Sequence, residues 1–205
     1  MMKALIFSGG SFCSLPDTID INEYSLIIGA DSGYLNALSV GITPDIFIGD
    51  FDSVLEEEIK SKEVLKLHPV KDMTDTQEAV DVAISRGVTS VTILGALGNR
   101  IDHTIANIHL LKYAHQKGVN AQIVDTDTYI TLVTDKLDVC AKSGYCLSLL
   151  PLTDCSGVSV SGVFYPLENA NMPVGNPYGI SNEFVKDTAH IEVLSGELLV
   201  ILCKS

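Results

Sequence analysis

The sequence predicts an α/β chain: a mainly parallel α/β domain over residues 1–127, then a small antiparallel β-sandwich domain over residues 128–205. Three observations predict it. Short β-rich runs, apolar almost throughout, alternate with helical stretches, as strands buried on both faces do. Convincing helices stop after "AQIVDTD" (121–127), and only short runs split by Gly, Pro and Asn follow. The concentrated polar motifs of the first part each follow a strand, as they do where ligands bind outside the carboxyl ends of a parallel sheet.

The elements follow in order. "ALIF" (4–7) runs into Gly9-Gly10, "SLIIG" (25–29) into "ADSGY", and "DIFIG" (45–49) into "DFDS". "VLKLH" (64–68) runs into "PVKDMTD", and "SVTILG" (90–95) into "ALGNRID". Residues 74–86 read as a helix with Val80, Ala83 and Ile84 on one face. Thr74 and Gln77 fit a capping box there, and Gly87 stops it. Residues 103–117 read as a second helix, with Ile101, Ile105, Ile108 and Leu111 along one side and Gly118 as the stop. Strand–helix alternation implies a mainly parallel sheet with helices on both faces. In the second domain "YITLVT", "YCLSLLPL", "VSVSGVFYPL", "AHIEVL" and "ELLVILC" read as strands, and "VLSGEL" as a tight hairpin joining the last two.

Composition narrows the function. Of 205 residues, 46% are hydrophobic, so this is a folding sequence. Thirteen basic against 26 acidic residues give a net charge of −13 without a basic stripe, which argues against nucleic-acid binding. An acidic protein still binds phosphates when a divalent metal carries the positive charge. The apolar run in "MMKALIFSGG" is short for a signal peptide, and no run is long enough to span a membrane. The five cysteines form no CxxC pair, so they read as reduced, buried side chains of a cytoplasmic protein.

The informative stretch is "GDFDS" (49–53). If it continues a strand, Asp50 and Asp52 face one side and repel unless a cation lies between them. Mg²⁺ prefers carboxylate plus phosphate oxygens, and such a pair supplies the protein half. Asp31, Asp75 and Asp102 come to the same rim. Each also fits a plainer role: Asp31 in a turn, Asp75 in a first helical turn, Asp102 as a cap. Arg100 in a Gly-bearing loop suggests a phosphate clamp, against a surface ion pair with Asp102. Lys71 could serve similarly, and His103 reads as a helix N-terminal residue. On the residues alone, a metal-dependent nucleotide or sugar-phosphate phosphohydrolase and a non-enzymatic nucleotide sensor stay open.

"ADSG", "GDFDS", "KDMTD", "GNRIDH" with Asn107, and the late "GISNEF" occur in an order that resembles thiamine pyrophosphokinases over nearly the whole chain. The resemblance implies a Rossmann-like catalytic first domain binding ATP and Mg²⁺, and a thiamine-binding second domain. It implies Mg²⁺-dependent transfer of a diphosphate from ATP to the thiamine hydroxyl, releasing AMP, by a homodimer with active sites between subunits. Carried over, Asp50, Asp52 and Asp75 are metal and phosphate residues, with Arg100 and Asp102 in the same cluster. Gly9, Gly10, Asp31, Lys71, Thr74, Arg100 and Asn107 lie on the ATP side, and Ser181 and Asn182 contact thiamine.

Overall fold

The computed structural model describes residues 2–68, 72–98 and 100–205. The chain divides into two compact units, Met1–Thr126 and Asp127–Ser205. The first contains β1 (Lys3–Phe7), β2 (Leu26–Ala30), α1 (Gly33–Ser39), β3 (Ile46–Gly49), β4 (Glu63–Lys66), α2 (Asp75–Ser85), β5 (Ser90–Leu94), α3 (Ile101–Gln116) and β6 (Asn120–Val124). Its strands lie in the order β4-β3-β2-β1-β5-β6, each paired in parallel with its neighbours. Ala4, Leu5, Ile6 and Phe7 are fully buried, which is why β1 reads as an unbroken apolar run. The α/β expectation therefore holds.

The chain leaves β1 in one direction as far as β4, then returns to β5 on the other side of β1. The sheet therefore has its topological switch point between β1 and β5. Parallel crossovers are right-handed, so β2-α1-β3 and β5-α3-β6, running opposite ways, place α1 and α3 on opposite faces. Tyr34 of α1 is fully buried, edge to face with Phe47 at 5.5 Å, and its hydroxyl accepts the Lys60 N–H at 2.7 Å.

Thr74 caps α2 as expected, its Oγ1 accepting from the Gln77 N–H at 3.2 Å, and Val80 and Ala83 are buried. The α3 face is a correction. Ile101 and Ile105 are 64% and 51% exposed, and the buried stripe is Asn107, Leu110, Leu111 and Ala114. Both stripes fit a helical period. The sequence pattern favours the isoleucines because the buried stripe contains an asparagine. The short helix α1, directly after Asp31-Ser32, was not expected.

The second unit contains β7 (Thr128–Val133), β8 (Lys136–Cys140), β9 (Tyr145–Pro151), β10 (Cys155–Ser161), β11 (Leu167–Met172), β12 (Thr188–Glu192) and β13 (Leu198–Lys204). They form two antiparallel groups, β7-β13-β9 and β11-β10-β12-β8. Val133, Leu147, Leu198 and Val200 from one group meet Val139, Val158, Met172 and Ile191 from the other in one core. β8 and β11 were not expected, because "KLDVC" carries two charged residues among five and "LENANM" is half polar. The expected "VLSGEL" hairpin is overturned: β12 pairs with β10 and β8, whereas β13 pairs with β7 and β9. That stretch carries the chain from one group to the other, with Gly196 at φ +107°.

All five cysteines are free, but Cys13, Cys140 and Cys203 are exposed, which corrects the expectation that they are buried. Cys155 is buried, and burial pushes its thiol up. Among the described residues no helix is long and apolar enough to cross a membrane.

Replacing Tyr34 by Phe keeps the ring and leaves the Lys60 N–H without its acceptor. Losing this partly buried hydrogen bond costs about 0.5–1.5 kcal/mol. The urea midpoint should fall accordingly, and an unchanged midpoint would show that water or another acceptor replaces the hydroxyl.

Candidate active site

A cleft of about 390 Å³ opens at the carboxyl ends of β1, β2 and β5, at the switch point of the first unit. Two of its walls are loops sewn together by backbone bonds: Ser8 N–H to Leu94 at 2.8 Å, Gly10 N–H to Gly95 at 2.7 Å, and Ser11 N–H to Leu97 at 2.8 Å. The seam explains the glycines. A Cβ on Gly10 would collide with the carbonyl oxygens of Gly95 and Leu97, and Gly95 itself sits at φ +61°. Gly9 and Gly10 both line the cleft. Gly10 contributes close approach, since its N–H is committed to Gly95.

Side chains brace this seam from behind. Asn36 of α1 donates Nδ2–H to the Ser8 carbonyl at 2.9 Å and the Gly10 carbonyl at 3.3 Å. Asn107, buried in α3, donates to the Ala96 carbonyl at 2.8 Å. Ser8 Oγ and Thr76 Oγ1, both buried, lie 2.7 Å apart and tie β1 to the first turn of α2. Sequence reasoning passed over Ser8, Asn36 and Thr76. Only Ser8, beside Gly9, carried a local signal.

The carboxylates gather around Asp31. Oxygens of Asp31, Asp50 and Asp52 all lie within 4.8 Å of one another. Asp75, expected as a metal residue, is not in that trio, but it lines the cleft with Asp31 and its charge reaches Asp31. The approach of Asp50 and Asp52 has a different cause from the expected strand alternation. β3 ends at Gly49, Phe51 adopts φ 67°, and the Asp52 N–H folds back to Asp50 Oδ1 at 3.2 Å. Phe51 holds the turn in place by packing on Phe47 (5.4 Å between centroids) beneath Lys66 Nζ (4.8 Å).

Asp31 also has a positive φ, 50°, and its N–H binds the Ile48 carbonyl at 2.7 Å, which locks the end of β2 to β3. Burial pushes its carboxyl above the usual range, and the charges of Asp52 and Asp75 push the same way. Bonds from Ser32 and Ser53 oppose them. Among the described residues, buried Asp31 Oδ1 has no hydrogen-bond partner. A buried carboxylate oxygen without a donor, beside two more carboxylates, fits a hard divalent cation.

Arg100 sits at the N-terminal cap of α3 and borders the cleft. Its Nε and Nη2 donate to Asp102 Oδ1 at 3.0 Å and Oδ2 at 2.6 Å. The Asp102 carboxyl is held well below the usual range, first by that bond, and both side chains are mostly exposed. The ion-pair reading of Arg100 is therefore realised, at the mouth of the cleft. Thr74 and His103 also line it. Lys71 lies outside the described residues.

In the second unit, Ser181 takes φ 57° and donates its N–H to Ser148 Oγ at 3.0 Å. Asn182 exchanges two backbone bonds of 2.8 Å with Leu147. Its side chain closes on one residue: Oδ1 accepts the Tyr165 N–H at 2.9 Å and Nδ2 donates to the Tyr165 carbonyl at 2.8 Å. Asn182 is thus a brace for the Phe164-Tyr165 corner, whose rings pack edge to face at 4.9 Å.

Residues 20–123 match the family model for the catalytic domain of thiamin pyrophosphokinase, and residues 133–198 that for its vitamin B1 binding domain. Over 211 aligned positions the chain is 30% identical to the thiamine pyrophosphokinase of Bacillus subtilis (strain 168), with 98% of each covered. Its fold matches a crystal structure of thiamine pyrophosphokinase from Bacillus subtilis with a TM-score of 0.87 at 27% identity, over 99% of both chains. It matches a thiamin pyrophosphokinase family protein from Enterococcus faecalis with a TM-score of 0.88 at 29% identity, over 100% of both. With both halves matched in order and nearly the full length shared with a relative, the chain belongs to the thiamine pyrophosphokinase family.

Proposed function

We propose that this chain transfers a diphosphoryl group from ATP to the hydroxyl of thiamine, giving thiamine diphosphate and AMP, with Mg²⁺ as the metal. The observation that carries the mechanism is the carboxylate trio around Asp31 Oδ1, which has no partner among the described residues, beside a cleft at the carboxyl ends of parallel strands. The thiamine oxygen forms a bond to the β-phosphorus of ATP, the bond from that phosphorus to the α–β bridging oxygen breaks, and the hydroxyl proton is released. Such transfers depend on alignment and charge neutralisation more than on covalent catalysis.

Asp31, Asp50 and Asp52 would hold Mg²⁺, with Asp75 on the phosphate side. Mg²⁺, when bound, offsets their mutual repulsion and the negative charge of the triphosphate. The Gly9-Gly10 loop, held flat against the loop after β5, leaves room for the nucleotide, and Thr74 and Asn107 fix the neighbouring walls. Arg100 trades Asp102 for phosphate oxygens. An exposed ion pair is screened by water and contributes little, so that exchange is inexpensive. Ser181 and the corner braced by Asn182 form the thiamine side. A phosphohydrolase on the same acidic rim leaves the vitamin B1 match over residues 133–198 without a role. The protein is read as a cytoplasmic homodimer whose active sites each draw on both copies.

Three experiments test this. Asp31→Asn should lose at least about a hundredfold in turnover, since metal-borne charge stabilisation is worth several kcal/mol. The same variant should lose the rise in melting temperature that Mg²⁺ alone gives the native protein; a variant still stabilised by Mg²⁺ would remove Asp31 from the metal site. Arg100→Lys should raise the KM for ATP and spare that for thiamine, because Lys cannot make the planar two-point contact. Unchanged ATP kinetics would confine Arg100 to its pairing with Asp102. Mixing inactive Asp52→Asn and Asn182→Ala chains after dissociation should restore roughly one intact site in four if sites are shared across a two-fold pair. Persistent inactivity despite proven exchange would mean that each site is built from a single chain.

A further inference from the structure

Cys203 of β13 stands directly opposite Cys146 of β9 in antiparallel register. Directly opposed residues send their side chains to the same face. Leu147 spends its N–H and carbonyl on Asn182, and Leu149 its N–H on Gly179, away from β13. Backbone groups alternate in direction along a strand, so those of Cys146 turn toward β13. The cysteines therefore form a hydrogen-bonded pair, with Cα atoms about 5.5 Å apart. That lies inside the range of roughly 4.4–6.8 Å that a disulfide spans.

The Cβ separation in such a pair, about 5.5 Å, exceeds the roughly 3.5–4.5 Å of a relaxed disulfide. A bond here can close only under strain, and strained, exposed disulfides are the labile, exchangeable ones. Cys203 is exposed and Cys146 half-buried, so Cys203 is the thiol that meets solution. Its Sγ lies 3.8 Å from Thr128 Oγ1 on the neighbouring strand, a weak contact that a χ1 rotation exchanges for the bond.

We propose that Cys146 and Cys203 are a redox-reversible cross-strand pair, oxidised by small disulfides of the glutathione class, and that closing it alters the segment 179–182 on the other edge of β9. The Cys203 thiolate attacks one sulfur of the small disulfide and releases one thiol. The Cys146 thiolate then attacks Cys203 Sγ, forming the protein disulfide and releasing the second thiol. Two protein thiols are oxidised and one small disulfide is reduced. The effect on thiamine use rests on the proposed function, because Ser181, bonded to Ser148 two residues from Cys146, is there read as part of the thiamine side.

The test treats the native full-length protein with oxidised glutathione, blocks remaining thiols, and maps the peptides. A 146–203 cross-link should appear with loss of two hydrogen atoms, vanish with dithiothreitol, and be absent from Cys203→Ser. In the oxidised native protein the KM for thiamine should rise by roughly tenfold, a small displacement at a site being worth up to about a hundredfold, while the KM for ATP stays. A mixed disulfide at Cys203 with no cross-link overturns the pair. A cross-link with unchanged thiamine KM overturns the coupling, as does an equal change in oxidised Cys203→Ser. Absence of thiamine turnover in the reduced protein would instead refute the proposed function, and the peptide map would still decide the bond.

Discussion

β1 pairs on both edges and buries both faces, and the rest of the first unit is arranged around that constraint. A strand with two parallel neighbours reached in opposite directions leaves a gap above its carboxyl end, where the flanking connections diverge. The chain keeps that gap open but narrow by running the loop after β1 alongside the loop after β5. Backbone pairing there uses up donors that a phosphate loop would otherwise present. Charge recognition in this unit therefore falls to side chains and to whatever cation the carboxylates hold.

Those carboxylates are held by backbone that is itself under strain. Asp31 and Phe51 both occupy the left-handed region, at a cost of roughly 1–2 kcal/mol each for residues with a side chain. The strain persists because the surroundings over-determine it: the Ile48 carbonyl fixes Asp31, and Phe47 with Lys66 holds the Phe51 ring. Hydrophobic packing thus brings together charges that would otherwise move apart. A flexible loop with the same residues would not keep three oxygens within 4.8 Å.

The parallel strands were legible in the sequence because burial on both faces makes them continuous apolar runs, and α2 because Thr74 and Gly87 mark its ends. The convergence of motifs on one rim was legible because each motif follows a strand. Some features were not. Asn107 looks polar on paper, yet its one bond to Ala96 lets it sit in the core, which turned the reading of α3 by about a third of a turn. The trio centred on Asp31 depends on two left-handed residues that are not glycines: Asp visits that region only occasionally and Phe rarely, so neither residue type marks the conformation in the sequence. β11 is an edge strand, half of it polar and without regular alternation, so its pairing with β10 carries the information that its composition lacks. The bracing role of Asn182 is equally invisible, since its partner Tyr165 is remote in sequence.

The passage from β12 to β13 between the two strand groups has a consequence for biosynthesis. β7 and β9 never pair with each other; both pair with β13, which follows them in the chain. While the ribosome is still adding residues before Leu198, the inner faces of β7 and β9 have no strand between them. Val133, Leu147 and Leu149 then lack the Leu198 and Val200 side chains they pack against. Contacts this remote in sequence close slowly, and apolar surface exposed in the interval favours aggregation. The second unit is accordingly completed after translation has passed its final strand, whereas the pairings of β1 to β6 are all available by residue 124.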